Sequence, residues 1–205
     1  MELLVDNKNF TLEQPCKNLK SCINQVEKSL AKDRRVIVNI ILDGREIYPE
    51  DEEELSDFQL SKIEKLEIIS SKPKVLVQEG LDFGVKEVFP DAFAVIDQLC
   101  AHLRTQKIKE TVELFLRLCD YLGWLPTICR NLALTHPQFV ESNDGKIMQK
   151  KLLDLEAITG EIVKHQENED WVSLADIIEF ELRDILEYFK ELFAKLQDLK
   201  EELNA

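Results

Sequence analysis

The side chains best suited to chemistry are few and dispersed in this 205-residue chain. There are three histidines, His102, His136 and His165, and none falls in an HExxH or Glu-x-x-His pattern. Glu161 and His165 lie one helical turn apart, so they could occupy two ligand positions of a metal ion. Asp176, Glu179 and Glu181 follow as further carboxylates. The competing reading is a solvated helix face. His102 and His165 both stand near the ends of helical patterns, where a cation complements the helix dipole. Glu161 and His165 are thus the metal candidates, and no cofactor is expected.

The five cysteines, Cys16, Cys22, Cys100, Cys119 and Cys129, are odd in number and form no CxxC pair. They read as small apolar residues in a reducing cytosol rather than a disulfide framework. No GxGxxG, GxxxxGK[ST] or GxSxG pattern occurs among the six glycines, so nucleotide binding by the familiar loops and a serine nucleophile elbow both lack their motif. No enzymatic activity is expected. The run Glu50-Asp51-Glu52-Glu53-Glu54 lacks the spaced oxygens and turn glycine of a calcium loop and reads as a solvated loop.

The whole composition narrows the partners. The formal net charge is −14, which disfavours a nucleic acid or an anionic membrane as partner. The acidic excess is concentrated in the Glu50–Glu54 run and beyond Trp171, and it would favour a basic protein partner. Apolar residues make up 44% of the chain, enough for a packed core. The opening residues Met1–Asp6 lack the basic and apolar regions of a signal peptide, and no apolar run approaches a membrane span, so a cytoplasmic protein of bacterial style is expected.

Two modules should position these side chains, residues 1–71 and 72–205. In the first, Met1–Val5 alternates as a strand, Asp6–Asn9 is turn chemistry, and Phe10–Glu13 reads as the returning strand. Leu19, Ile23, Val26 and Leu30 form the stripe of a helix entered near Pro15. Arg34–Leu42 is β-branched, Asp43-Gly44 is a hairpin turn, and Arg45–Tyr48 returns. A short helical turn is expected over Leu55–Ile63, and Lys65–Ser70 is the last strand. This ββαββ-turn-β order resembles the ubiquitin-like β-grasp fold over about a third of the chain. The resemblance implies a docking module. It does not imply carrier chemistry, because the segment ends Ser70-Ser71-Lys72-Pro73 rather than in Gly-Gly.

On the strand over 34–42, Val36, Val38, Ile40 and Leu42 should share one face, and Ile37 and Ile41 the other, joined there by Ile69. A wet sheet face should be polar. This second face therefore either packs on the chain's own helices or serves self-association or a partner, with Ile37, Ile41 and Ile69 as contacts.

Residues 72–205 read as a helical bundle, giving an α+β chain. Helices are expected over 75–88, 92–104, 107–122, 127–134, 146–166 and 171–203. Phe89-Pro90-Asp91 and Gly123–Pro126 should kink or break them, and Thr135–Asp144 should connect them. In the last helix, Ile178, Leu182, Ile185, Phe189, Leu192, Leu196, Leu199 and Leu203 alternate four- and three-residue spacing. This seam is either the spine of the bundle or a projecting segment that pairs with another chain. Phe180, Tyr188 and Phe193 are its candidate partner contacts. A shift of 63 residues superposes His102 on His165 and Cys119 on Leu182, a faint repeat of helix, loop and helix. Together these features point to a non-enzymatic adaptor or assembly protein working through protein–protein contacts, with a homodimer as one form. A helical small-ligand or metal-binding protein is the alternative.

Overall fold

The computed structural model describes residues 1–16, 18–47 and 63–198. The protein is of the α+β class: a mixed five-stranded sheet precedes a series of helices that ends in a long helical region. Two compact units divide it, Met1–Leu76 and Val77–Ala205.

In the first unit, β1 (Glu2–Val5) and β2 (Lys8–Asn9) are joined by Asp6 and Asn7, both at positive φ (49° and 62°). The return is therefore two residues long, and β2 sits where a turn was expected, with no strand over Phe10–Glu13. Helix α1 (Leu19–Lys32) starts at Asn18, whose side chain accepts from the Ser21 N–H in a capping box; Pro15 lies outside it. Strands β3 (Val36–Leu42) and β4 (Arg45–Ile47) are linked by Asp43 and Gly44, again both at positive φ. Strand β5 (Lys65–Ser71) pairs parallel to β1 and antiparallel to β3, giving the order β2-β1-β5-β3-β4. One face of the sheet carries Leu3, Val5, Ile40, Leu66 and Ile68, which bury Leu19, Cys22, Val26 and Leu30 of α1. Tyr48, the acidic run Glu50–Glu54 and the turn expected from Leu55 lie outside the described residues.

The pairing corrects the face of Ile37. A β-bulge slips the register of β3, so that Ile37 pairs with Ser70 while Asn39 pairs with Ile69. Val38 is the extra residue. Side-chain alternation skips one step there, which puts Ile37 against the core and leaves Ile41, Asn39 and Ile69 on the opposite face.

In the second part, α2 (Pro73–Phe83) runs into a π-helical turn, Gly84–Val88, and on into α3 (Phe89–Arg104). The expected break at Phe89-Pro90-Asp91 is absent. Pro90 has no N–H and its ring would crowd the carbonyl one turn back, and the wider π turn before it absorbs both. A 3₁₀ turn, Ile108–Thr111, leads into α4 (Val112–Thr135), which continues through Gly123 and Pro126 as one helix. There Thr127 Oγ1 donates to the Gly123 carbonyl (3.1 Å) beside the missing proline donor. Helix α5 (Pro137–Glu141) is short. Helix α6 (Asn143–Glu167) begins three residues before the expected 146, because Ser142 caps it by accepting from the Gly145 N–H. Then α7 (Trp171–Asp176), a second π turn (Ile177–Leu182) and α8 (Arg183–Asp198) form one continuous helix. Every seam residue from Ile178 to Leu196 is buried in the chain's own core, so this stretch is the bundle's spine; Leu199 and Leu203 lie outside the described residues.

The two turns related by the 63-residue shift close in the same way, as does the end of α1 at Arg34 and Arg35. Gln106 and Glu169 both take positive φ (56° and 55°). Lys107 N–H donates to the His102 carbonyl (2.9 Å) and Asp170 N–H to the His165 carbonyl (3.0 Å), closing two like helix ends. Beyond the turns the burial diverges: Cys119 is exposed where Leu182 is buried. Among the described residues no helix is long and apolar enough to cross a membrane.

Candidate functional site

The outer face of the sheet is assembled from its central strands. Ile69 on β5 lies opposite Asn39, Glu67 is flanked by Ile41 on β3 and Leu4 on β1, and Lys65 lies opposite Glu2. Ile69 is 44% exposed and Val38 in the bulge 49% exposed, while Ile41 and Leu4 are half-buried. The polar residues among them are tied down. Lys65 Nζ meets Glu67 Oε1 at 3.0 Å, and Asn39 donates to Glu46. An apolar strip thus runs diagonally across the face between carboxylates, an arrangement that can hold an apolar surface bordered by basic groups. Ile41 and Ile69 share this face; Ile37 does not.

The three aromatic candidates of the last helix separate. Phe180 is exposed, on the π turn. Tyr188 is half-buried, with its ring edge-on to Phe189 at 5.3 Å and Lys151 Nζ 5.9 Å from its centroid. Burial pushes its phenol pKa upward. Phe193 is fully buried, in T-shaped contact with Phe89 (5.5 Å) and Trp124 (6.1 Å), and cannot touch a partner. It is core because α8 buries Leu186 and Phe193 as a second stripe beside the seam.

Glu161 and His165 do meet, at 4.0 Å, but as a solvated pair on one helix. The other ring nitrogen of His165 faces Asp170 Oδ2 at 3.1 Å. Asp170 caps α7, and the Ser173 hydrogen bonds, with His165 beside them, hold its carboxyl below the usual range. Asp176 and Glu179 both turn to Arg104 instead of toward His165. Among the described residues no three His, Cys, Asp or Glu side chains gather as a metal ion requires.

Sequence reasoning missed a cleft between α4 and α6, of about 650 Å³, walled by Leu122 and Pro126 on one side and Leu152, Leu153 and Val163 on the other. Gly123 and Gly160 face it, and a Cβ on either would meet nothing within 4 Å. The signal was a glycine in the middle of each helix, where it costs helix stability without a packing reason.

The fold and surfaces define a two-part protein, a sheet module followed by a helical unit, with exposed apolar side chains on each. A family model described as a domain of unknown function, DUF8042, matches residues 85–192, over half of the chain, and the chain belongs to that family. A second model, described as the TP0873 N-terminal domain, matches residues 1–72. No curated protein and no solved structure matches the chain.

Proposed function

We propose that this protein is a non-enzymatic adaptor or assembly protein of the cytoplasm, and that the outer face of its sheet docks a protein partner. The observation that carries this reading is the exposed apolar strip of Val38 and Ile69, bordered by Glu46 and Glu67, on a face where solvent would favour polar side chains. The strand order and the packing of α1 on the opposite face resemble the ubiquitin-like β-grasp fold, for which docking is a common use, and this supports the reading by analogy. The acidic border and the charge of −14 favour a partner with basic groups around an apolar centre. A second copy of the chain is the simplest alternative occupant.

The test is Ile69→Asp in the full chain. Ile69 lies outside the core, so the variant should melt within a few degrees of the wild type. It should retain about a tenth or less of the partner captured from the native host, as expected of an interface residue worth more than ~1.4 kcal/mol. Equal capture by both proteins would remove the sheet face from the function. Light scattering separates self-association: a dimer that Ile69→Asp dissociates makes the partner a second copy.

A further inference from the structure

The helical unit is open on one side. Helix α3 packs on α4, and both α3 and α6 pack on the last helix, but α4 and α6 make no extended contact with each other. The short α5 bridges them at one end, and the cleft described above lies along their middle. We propose that this cleft is a docking groove for an amphipathic α-helix of a protein partner, one whose apolar stripe is flanked by lysine or arginine. It is a different surface from the sheet face and does not rest on the role given to that face.

Two observations select a helix of this kind. The first is spacing. On α4 the exposed residues Val112, Leu116, Cys119, Gly123 and Pro126 recur at intervals of four, three, four and three. On α6, exposed Leu153, Glu156 and Gly160 and then Val163 recur at three, four and three. That is the period by which one helix meets another, and here two such seams flank a single opening. The α4 seam spans about 21 Å at 1.5 Å per residue, so Val112 and Leu116 carry it two turns past the cleft that a small molecule would fill. Gly123 and Gly160 lower the walls enough for a third backbone to approach.

The second is charge. Glu156 is the one charged residue among the described residues lining the cleft, and Glu113 and Asp120 adjoin the α4 seam. None of the three is in an ion pair among the described residues. Of the cations beside the cleft, Arg117 pairs with Asp91 at 2.5 Å and Lys164 with Glu161 at 3.2 Å, while Arg130, one turn past Pro126 on the α4 seam, is exposed at the end of the groove and in no ion pair among the described residues. From Val112 to Pro126 the groove is therefore bordered by carboxylates without an ion-pair partner among the described residues, which attract a basic helix and repel an acidic one, and Arg130 marks the end at which an acidic residue of that helix would lie.

Cys119 reports on the groove without any label. It is the one exposed thiol of the five; Cys22, Cys100 and Cys129 are buried, and burial pushes their thiols up to about 11, 11 and 12. The half-buried Cys16, in the sheet unit, serves as internal reference. The full chain is alkylated with N-ethylmaleimide and mapped by mass spectrometry. Two synthetic helical peptides of about 14 residues are added in turn, with leucine at i, i+3, i+4 and i+7 and either lysine or glutamate alongside.

The lysine peptide at about ten times its dissociation constant should slow alkylation of Cys119 about tenfold and leave Cys16 unchanged. The glutamate peptide should give less than a quarter of that protection at equal concentration. Gly160→Leu, which fills the groove, should abolish protection, and Glu156→Lys, an exposed change that keeps the fold, should reverse the peptide preference. Protection by neither peptide, or equally by both, overturns the proposal, as does protection that survives Gly160→Leu. Binding of the uncharged dye Nile red in place of either peptide, lost in Gly160→Leu, would make the cleft a small-molecule site and overturn the helix. Protection of Cys119 that rises with protein concentration alone, with a dimer that Gly160→Leu dissociates, would assign the groove to a second copy and equally overturn it.

Discussion

Asp6 joins three elements of the sheet unit with one carboxylate. Its Oδ1 accepts the Ser70 N–H (2.8 Å), and its Oδ2 accepts both the Ser70 hydroxyl (2.7 Å) and Arg35 (2.8 Å). Arg35 in turn donates to the Ser70 hydroxyl and carbonyl. Burial alone would raise the Asp6 pKa, but the Ser70 hydrogen bonds and the Arg35 charge outweigh it and hold the group below its ordinary value. The folded form therefore binds its proton less readily than the unfolded chain. The stability this group contributes is present above about pH 4 and is lost as pH falls through the depressed folded value. Asp6→Asn should cost about 1–2 kcal/mol at pH 7, the lower part of the range for charged hydrogen bonds, because a third of the side chain meets solvent. Urea unfolding of both proteins at pH 7 and pH 3 checks this: the gap should narrow in acid, and a gap of constant size would assign the effect to packing. The sequence shows Asp6 as turn chemistry, which it is. It hides Ser70, 64 residues away, because no local pattern encodes a partner brought in by strand pairing. Phe180 and Phe193 look alike on the same grounds, and only the second stripe of α8 makes one surface and the other core.

At the scale of the element, a glycine inside a helix has no fixed meaning. Gly160 in α6 faces open space, and alanine there should raise stability by about 1 kcal/mol, the difference in helix propensity. Gly84 in the first π turn is the opposite case: a Cβ would come 2.7 Å from the Trp124 ring and 3.1 Å from Phe193. Gly84→Ala should therefore cost about 1–3 kcal/mol, as overpacking does. Midpoints of urea unfolding followed by the helical signal measure both, and a like sign for the two would refute the packing given to one of them. Element types and order were readable because periods of two and of three to four residues follow from which face is buried, as in α1 and the seam of the last helix. Three of the departures occur where a local irregularity shifts the phase. A bulge at Val38 moves Ile37 to the other face of β3, and π turns carry the chain past Pro90 and through Ile177–Leu182 where a break or a regular seam was read. Alternation cannot reveal a skipped step, since the residues on both sides of it remain β-branched. The α4–α6 groove was hidden for a related reason. An exposed seam is spaced like a buried one, and only the absence of a neighbour distinguishes them.

Among the described residues the molecule holds two cores that share no residue. One is formed by α1 and the sheet, the other by α2 to α8, and the division between the units falls inside α2, after Leu76. The first turn of α2 thus belongs to one unit, while Val77 and Leu81 are packed in the other core. Cooperativity in unfolding follows shared burial, because a unit melts when its own apolar contacts no longer offset the entropy of its chain. Separate cores should therefore give two transitions in calorimetry. Substitutions deep in each core assign them. Val26→Ala, at a fully buried position of α1, should lower one transition, and Leu118→Ala, buried in α4, the other. Each change should cost about 2–4 kcal/mol, the range for truncating a buried aliphatic side chain, and a loss of that size moves a domain of roughly 100 residues by about 10 °C or more. The same two melts carry the adaptor reading to this scale. A ligand stabilises only the unit whose folded form it contacts, so a sheet-face partner should raise the transition lowered by Val26→Ala, and a groove-bound helix the one lowered by Leu118→Ala. One transition displaced by both substitutions would mean that the two cores unfold as a single cooperative body, and the two docking surfaces would then be thermodynamically coupled.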